Sequence, residues 1–161
     1  MKNFTITIIL CGMLAILTGA SGPVYEWGEY TPVFMNKADL ENSVSYSPGA
    51  RAMKDPGKIY YKAPYIFVNE RYKGVHVINN SNPANPVAEG FIIAPGCLDM
   101  AVKENILYID NAVDLVAFDL NAKQLTQRLR DVFPTPPSPA GALYYNDPSQ
   151  TDKVLVGWKK R

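Results

Sequence analysis

Acid–base, nucleophilic or metal chemistry needs particular side chains in company, and this chain offers few. It holds one histidine, His76, and two cysteines, Cys11 and Cys97. His76 lies between Val75 and Val77, so on a strand it points to the face opposite both. A catalytic imidazole needs an orienting carboxylate, and a zinc site needs further His or Cys ligands. With no second histidine, His76 reads as a strand residue at the surface or at the core edge. Cys97, between Gly96 and Leu98 in an apolar stretch, reads as a small buried hydrophobe rather than a nucleophile. Asp110, Asn111, Asp114 and Asp119 raise the question of calcium. Their spacing lacks the bend glycine and closing bidentate glutamate of an EF-hand. Strand-end side chains that cap local backbone amides account for them. No Ser-His-Asp arrangement, phosphate-binding glycine loop or paired-carboxylate motif stands out. The expectation is a protein with no catalytic residue, no metal ligand and no cofactor.

Contact chemistry is better represented. There are 10 tyrosines, with Tyr60, Tyr61, Tyr65 and Tyr72 in one stretch and Tyr144 and Tyr145 near the end. Such rings suit a carbohydrate or protein partner when exposed and sheet packing when not. Tyr61, Tyr65, Tyr72, His76 and Tyr108 form the candidate interaction surface. The run Asn79 to Pro86 is the most polar loop, and its Asn and Pro residues are turn chemistry. Arg128, Arg130 and Lys159-Lys160-Arg161 make a small basic group expected on a solvated face. Basic and acidic residues number 16 and 15, which argues against a nucleic-acid binder.

The elements that must position these residues are strands. Residues 57 to 82 contain three strand patterns, KIYYK, YIFVNE and VHVINN, broken at Ala63-Pro64 and at Arg71 to Gly74. This predicts an antiparallel meander. A degraded copy follows about 41 residues later, a period that belongs to blade-type β repeats. Tyr65 to Asn69 matches Ile106 to Asp110. After one deletion, Gly74 to Asn79 matches Asp114 to Asp119. A fourth strand follows each copy, at Glu89 to Ala94 and at Thr126 to Val132.

The fold expected is mainly β: two consecutive four-stranded antiparallel units, at 56–96 and 97–134, with one short N-terminal helix. The helix falls in 36–44, with Asn36 as N-cap and Leu40 and Val44 on one face. Residues 21–55 are an extended lead-in, with a strand at Tyr30 to Met35 and a loop over 45–57 that ends in a Pro-Gly turn. Residues 135–161 are a Pro-rich linker and a terminal strand, KVLVGW.

Residues 1–20 read as an export signal. Lys2 precedes the apolar run Phe4 to Leu17, and Thr18-Gly19-Ala20 supplies small residues for cleavage. Leu17-Thr18-Gly19 matches the start of a lipoprotein box, but Ala20 stands where the lipidated cysteine belongs. The expectation is export without a lipid, or an uncleaved anchor. Once the leader is removed Cys97 has no disulfide partner.

YIFVNERYKGVHVINNSNPANP and LDMAVKENILYIDNAVDLVAFDL resemble the LVIVD repeat, a β-propeller-type unit of bacterial envelope proteins. GVHVINN and DLVAFDL would be its signature runs. The lead-in YTPVFMNKADLENSV, the segment ARAMKDPGKIY, the run DVFPTPP and the terminal VLVGWKK are also similar to parts of such proteins. The resemblance implies a secreted or outer-membrane location in a Gram-negative bacterium and no general enzymatic activity. It also implies further repeats, because two blades cannot close a ring. Two alone leave strand edges and an apolar face open. The lead-in and tail cover those surfaces, or a protein partner or second copy does, or the piece is marginally stable. The function expected is a non-catalytic structural or interaction module, with a glycan- or small-ligand-binding fragment as the alternative and an enzyme as the least favoured reading. A membrane role is expected only through an uncleaved leader or a partner.

Overall fold

The computed structural model describes residues 28–141 and 151–161. The proposed leader, residues 21–27, and Tyr144 and Tyr145 lie outside the described residues. Of those described, 54% are in strands and 4% in helix. All strand pairs are antiparallel and no sheet is closed.

The meander forms where alternation and turns predict it. Strands β3 (Pro56–Lys62), β4 (Tyr65–Glu70), β5 (Gly74–Asn79) and β6 (Val87–Ile93) pair in sequence order. The copy gives β7 (Met100–Lys103), β8 (Ile106–Asn111), β9 (Asp114–Asp119) and β10 (Gln124–Leu129), again in order. The registers agree with the repeat residue by residue. Val68 faces His76 and Glu70 faces Gly74; their counterparts Ile109 and Asn111 face Val116 and Asp114. The deletion falls in the hairpin loop, Arg71 to Lys73 in the first copy and Ala112-Val113 in the second. Tyr72 and Ala112 both turn through positive φ, 62° and 60°.

Three expectations need correction. The first sheet has five strands, because β2 (Ser45–Pro48), assigned to a loop, pairs with the outer edge of β6. Tyr46 opposite Ile92 anchors it, and its hydroxyl donates to the Glu89 carbonyl at 3.1 Å. The Pro56-Gly57 turn is instead the bulged start of β3. A Cβ at Gly57 would lie 2.5 Å from Asn69 Oδ1, so a larger residue there would have to push the Asn69 side chain aside. The helix α1 (Lys37–Glu41) is shorter than expected. Asn36 stands at its N-cap position, but its side chain bonds Asp39 rather than a backbone amide. Ser43 ends the helix by turning its hydroxyl back to the Leu40 carbonyl at 2.8 Å.

The two sheets pack face to face. Phe67, Val75, Val77 and Ile92 of the first sheet meet Leu107, Ile109, Val116 and Phe118 of the second. Each such buried side chain is worth about 1.5–3 kcal/mol relative to exposure. The packing has a sense. By the repeat, Leu107, Ile109, Val116 and Phe118 correspond to Ile66, Val68, His76 and Ile78, which lie on the outer face of the first sheet. The sheets therefore stack with unlike faces together, as successive copies of one unit, not as a mirrored sandwich. Edge strands β3 and β7 lie side by side, and the Tyr60 hydroxyl donates to the Val102 carbonyl at 3.3 Å.

The lead-in and tail meet each other. β1 (Tyr30–Asn36) pairs with β11 (Lys153–Lys160). Met35, Leu40, Val154 and Val156 pack onto Ala112 and Val113, so this ribbon and α1 cap the hairpin end of the sheets rather than their outer faces.

Candidate functional site

The hairpin end gathers the buried polar groups. Glu70 closes β4, and His76 lies two positions along the same face of β5. Three loop residues bring them together: His76 Nε2 is 2.9 Å from Glu70 Oε2, and Lys73 Nζ is 2.8 Å from Glu70 Oε1. Glu70 and His76 are 1% and 4% exposed. Burial pushes the Glu70 carboxyl up, but the bonds from Lys73 and His76 outweigh it and hold it below the usual carboxylate value. A carboxylate on an imidazole is the geometry of a general base with its orienter. Here Phe91 packs edge-on against the ring at 4.7 Å, and Arg51 lies over the Phe91 ring at 4.2 Å. The imidazole is buried between the Glu70 carboxylate and the Phe91 ring, and the pair ties β5 to the end of β4.

A second polar seam runs between the sheets. Asn69 Nδ2 is 3.0 Å from Cys97 Sγ and 3.3 Å from the Gly74 and Cys97 carbonyls. The Asp110 carboxylate accepts the amides of Leu98 and Asp99 at 2.9 and 2.8 Å. Burial pushes Asp110 up despite those amides. Burial, and then the Asp110 charge, push the Cys97 thiol well up. A thiol so placed is protonated and inert. Asp119 likewise caps Asn121 and Ala122 amides. Among the described residues no group of three His, Cys, Asp or Glu is placed to hold a metal.

The basic group does not share one solvated face. Arg128 is buried, with Nη1 2.6 Å from Asp114 Oδ2 and Nη2 donating to the Leu40 carbonyl at 3.0 Å. Arg130 is exposed and grips both Glu41 oxygens at 2.6 and 2.9 Å. Together they tie α1 to β9 and β10.

The opposite end of the sheets is open. A cleft of about 480 Å³ separates the Ala63-Pro64 turn from the Glu104-Asn105 turn. Phe67, Val77, Ile92 and Phe118 form its floor; Tyr46 and Tyr65 stand in its walls; Lys62, Glu89, Glu104 and Lys123 ring its mouth. The 69–74 and 110–114 turns, by contrast, pack against the ribbon, Tyr72 on Gly157 and Ala112 and Val113 on Val154 and Val156. The cleft lies at the other end, because the ribbon occupies the hairpin end. A shallower groove near the 110–114 turn is lined by Tyr108, Leu115 and the prolines 134, 136 and 137.

The five candidate surface residues do not converge. Tyr61 is 62% exposed on edge strand β3. Tyr65 is half-buried in the cleft. Tyr72 lies against Gly157 of β11 and donates to the Pro137 carbonyl at 3.2 Å. His76 is buried, and Tyr108 lines the proline groove. Sequence reading missed Lys62 and Glu104. Their signal was position, since each sits at the first hairpin turn of its repeat.

No family model, curated protein or solved structure matches this chain. The likeness to the LVIVD repeat thus rests on the strand runs themselves. No helix among the described residues is long and apolar enough to cross a membrane.

Proposed function

We propose that this chain is a non-catalytic, exported module of a bacterial envelope, built of propeller-type blades and acting through protein contact. The observation that carries this is the uncovered strip on the outer face of the five-stranded sheet. Ile59 and Tyr61 are 70% and 62% exposed on β3. Across the strands Tyr61 faces Ile66, which faces Ile78, both half-buried. A contiguous apolar strip beside an unpaired strand edge is an association surface. The stacking of unlike faces supports the blade reading, since each further unit would present the same pair of faces. Lys2, the apolar run to Leu17 and Thr18-Gly19-Ala20 support export.

The full chain at about 1–100 µM should associate with rising concentration in sedimentation velocity, a range set by ordinary interface affinities. Ile59→Lys with Tyr61→Lys should abolish that association while leaving the circular dichroism unchanged. A chain that stays monomeric throughout, or an undiminished association in the double variant, overturns the proposal. Cell fractionation with and without Ala20→Cys tests the address: the native residue should give a non-lipidated exported product.

A further inference from the structure

The open cleft carries a reading independent of assembly. Phe67, Phe118, Ile92 and Val77 lie sealed beneath it, each 6% exposed or less, so the apolar surface it offers comes from the half-buried Tyr46, Tyr65 and Leu120. Its mouth holds two positive and two negative side chains, so it carries no net sign. Two of the four are engaged within the fold. Glu89 accepts the Asn79 side-chain amide at 2.8 Å, and Lys123 lies over the Tyr46 ring at 4.7 Å. The side chains of Lys62 and Glu104 have no hydrogen-bond or ion-pair partner among the described residues. One free cation and one free anion, each from a different sheet, thus flank the half-buried Tyr46 and Tyr65 rings.

We infer that the cleft is a binding site for a small zwitterion with an apolar side chain, of the aromatic α-amino acid type. Lys62 would take the carboxylate, Glu104 the ammonium, and the Tyr46, Tyr65 and Leu120 side chains the ring. The chemistry selects against other classes. A phosphate or dicarboxylate would meet Glu89 and Glu104. A fatty acid would leave Glu104 facing hydrocarbon. A neutral sugar would leave both free charges without a counter-charge, and charged hydrogen bonds are the stronger ones. The volume lies in the range of small-molecule sites, about 300–1,000 Å³. Asn121 lines the same mouth and adds a neutral donor and acceptor.

The test is calorimetric titration of the full chain with L-phenylalanine, 3-phenylpropionate, phenethylamine and maltose. L-Phenylalanine should saturate one site, and each analogue lacking one charge should bind at least about tenfold more weakly, the effect of one charge-assisted hydrogen bond. Lys62→Met should erase the preference for L-phenylalanine over phenethylamine. Glu104→Gln should erase the preference over phenylpropionate. Both side chains lie at the cleft mouth, and circular dichroism should show both variants folded. The analogue series on the unmodified chain decides the matter alone if a variant does not fold. No saturation by about 10 mM, equal binding of all three phenyl compounds, tighter binding of maltose, or preferences that survive both substitutions would each overturn the inference.

Discussion

Replacing Glu70 by Gln tests whether the Glu70–His76 pair is a clamp. The carboxylate holds two partners, and they count differently. The bond to His76 is sealed from water, with side chains 1% and 5% exposed, and a buried bond to a charged group contributes about 1.5–3 kcal/mol. The bond to Lys73 has one end 45% exposed, so solvent screening limits it to about 0–1 kcal/mol. Gln keeps the shape and one acceptor but loses the charge, so the expected cost is about 2–4 kcal/mol at neutral pH. At this chain length that lowers Tm by about 4–16 °C. The pH dependence has a definite sign. Glu70 is held below the ordinary glutamate value of 4.5, so its stabilisation is complete above that value. It is lost as pH falls through the lower folded-state value. Urea unfolding followed by far-UV circular dichroism, at neutral pH and at successive steps below pH 4.5, measures both effects. The parent should lose its margin over Glu70→Gln on the acid side. If the variant is as stable as the parent at neutral pH, the clamp is refuted.

Three further outcomes follow from the packing. Asp114→Ala removes the hydrogen-bonded counter-charge of the buried Arg128 guanidinium and leaves only the more distant Glu41 carboxylate. At 3.8 Å the Glu41 carboxylate is too far to accept from Nε, which has no hydrogen bond, so the loss in urea unfolding should be about 3–5 kcal/mol. A loss under 1 kcal/mol would show that the pair is not desolvated. Gly74→Ala should cost about 2–4 kcal/mol, because φ is 143° and a Cβ would collide with the Ile92 carbonyl; a neutral substitution would contradict the observed β5–β6 approach. In the Cys11→Ser chain, Cys97 should react with a thiol reagent at least about 10³-fold more slowly than in urea, since the thiol is exposed only on opening. Fast labelling of the native protein would place the thiol at the surface.

How much was legible in the sequence follows from which forces act locally. β4, β5, β8 and β9 were readable because alternating apolar residues lie between turns, and the repeat carried the register from one copy to the other. β2 was not readable. SYSP has one apolar residue, and its strand form comes from the free edge of β6. The helix was overread because Ser43 competes for the Leu40 carbonyl, a choice that pattern does not encode. Within the site, Asp119 was readable as a cap because its amides lie two and three residues on; Asp110 caps Leu98 and Asp99, 12 and 11 residues away, a partner that local turn chemistry does not name. Glu70 as the partner of His76 was within reach of hairpin geometry: the loop of three places both on one face, two rungs apart. Arg128 was misread because its partner Asp114 comes from β9 and its cover from α1. The cleft was out of reach, because it depends on which faces of the two sheets meet.

That sense of stacking also limits what can dock on the first sheet. Its outer face should repeat the interior face of the second, yet two positions break the likeness. His76 stands where the second copy has fully buried Val116, and Glu70 where it has Asn111. Both are already sealed by their own bonds, by Phe91 and, over Phe91, by Arg51. A third unit laid squarely on this face would have to displace the 49–55 segment, which sets Arg51 over Phe91, and would find Glu70 and His76 already paired with each other. The strip of Ile59, Tyr61, Ile66 and Ile78 carries no such obstacle. A partner therefore gains most by binding along β3 and the far ends of β4 and β5, and Arg51→Ala should leave its affinity unchanged while Tyr61→Lys abolishes it. Equal losses in the two variants, measured by sedimentation, would mean that the whole face is the interface.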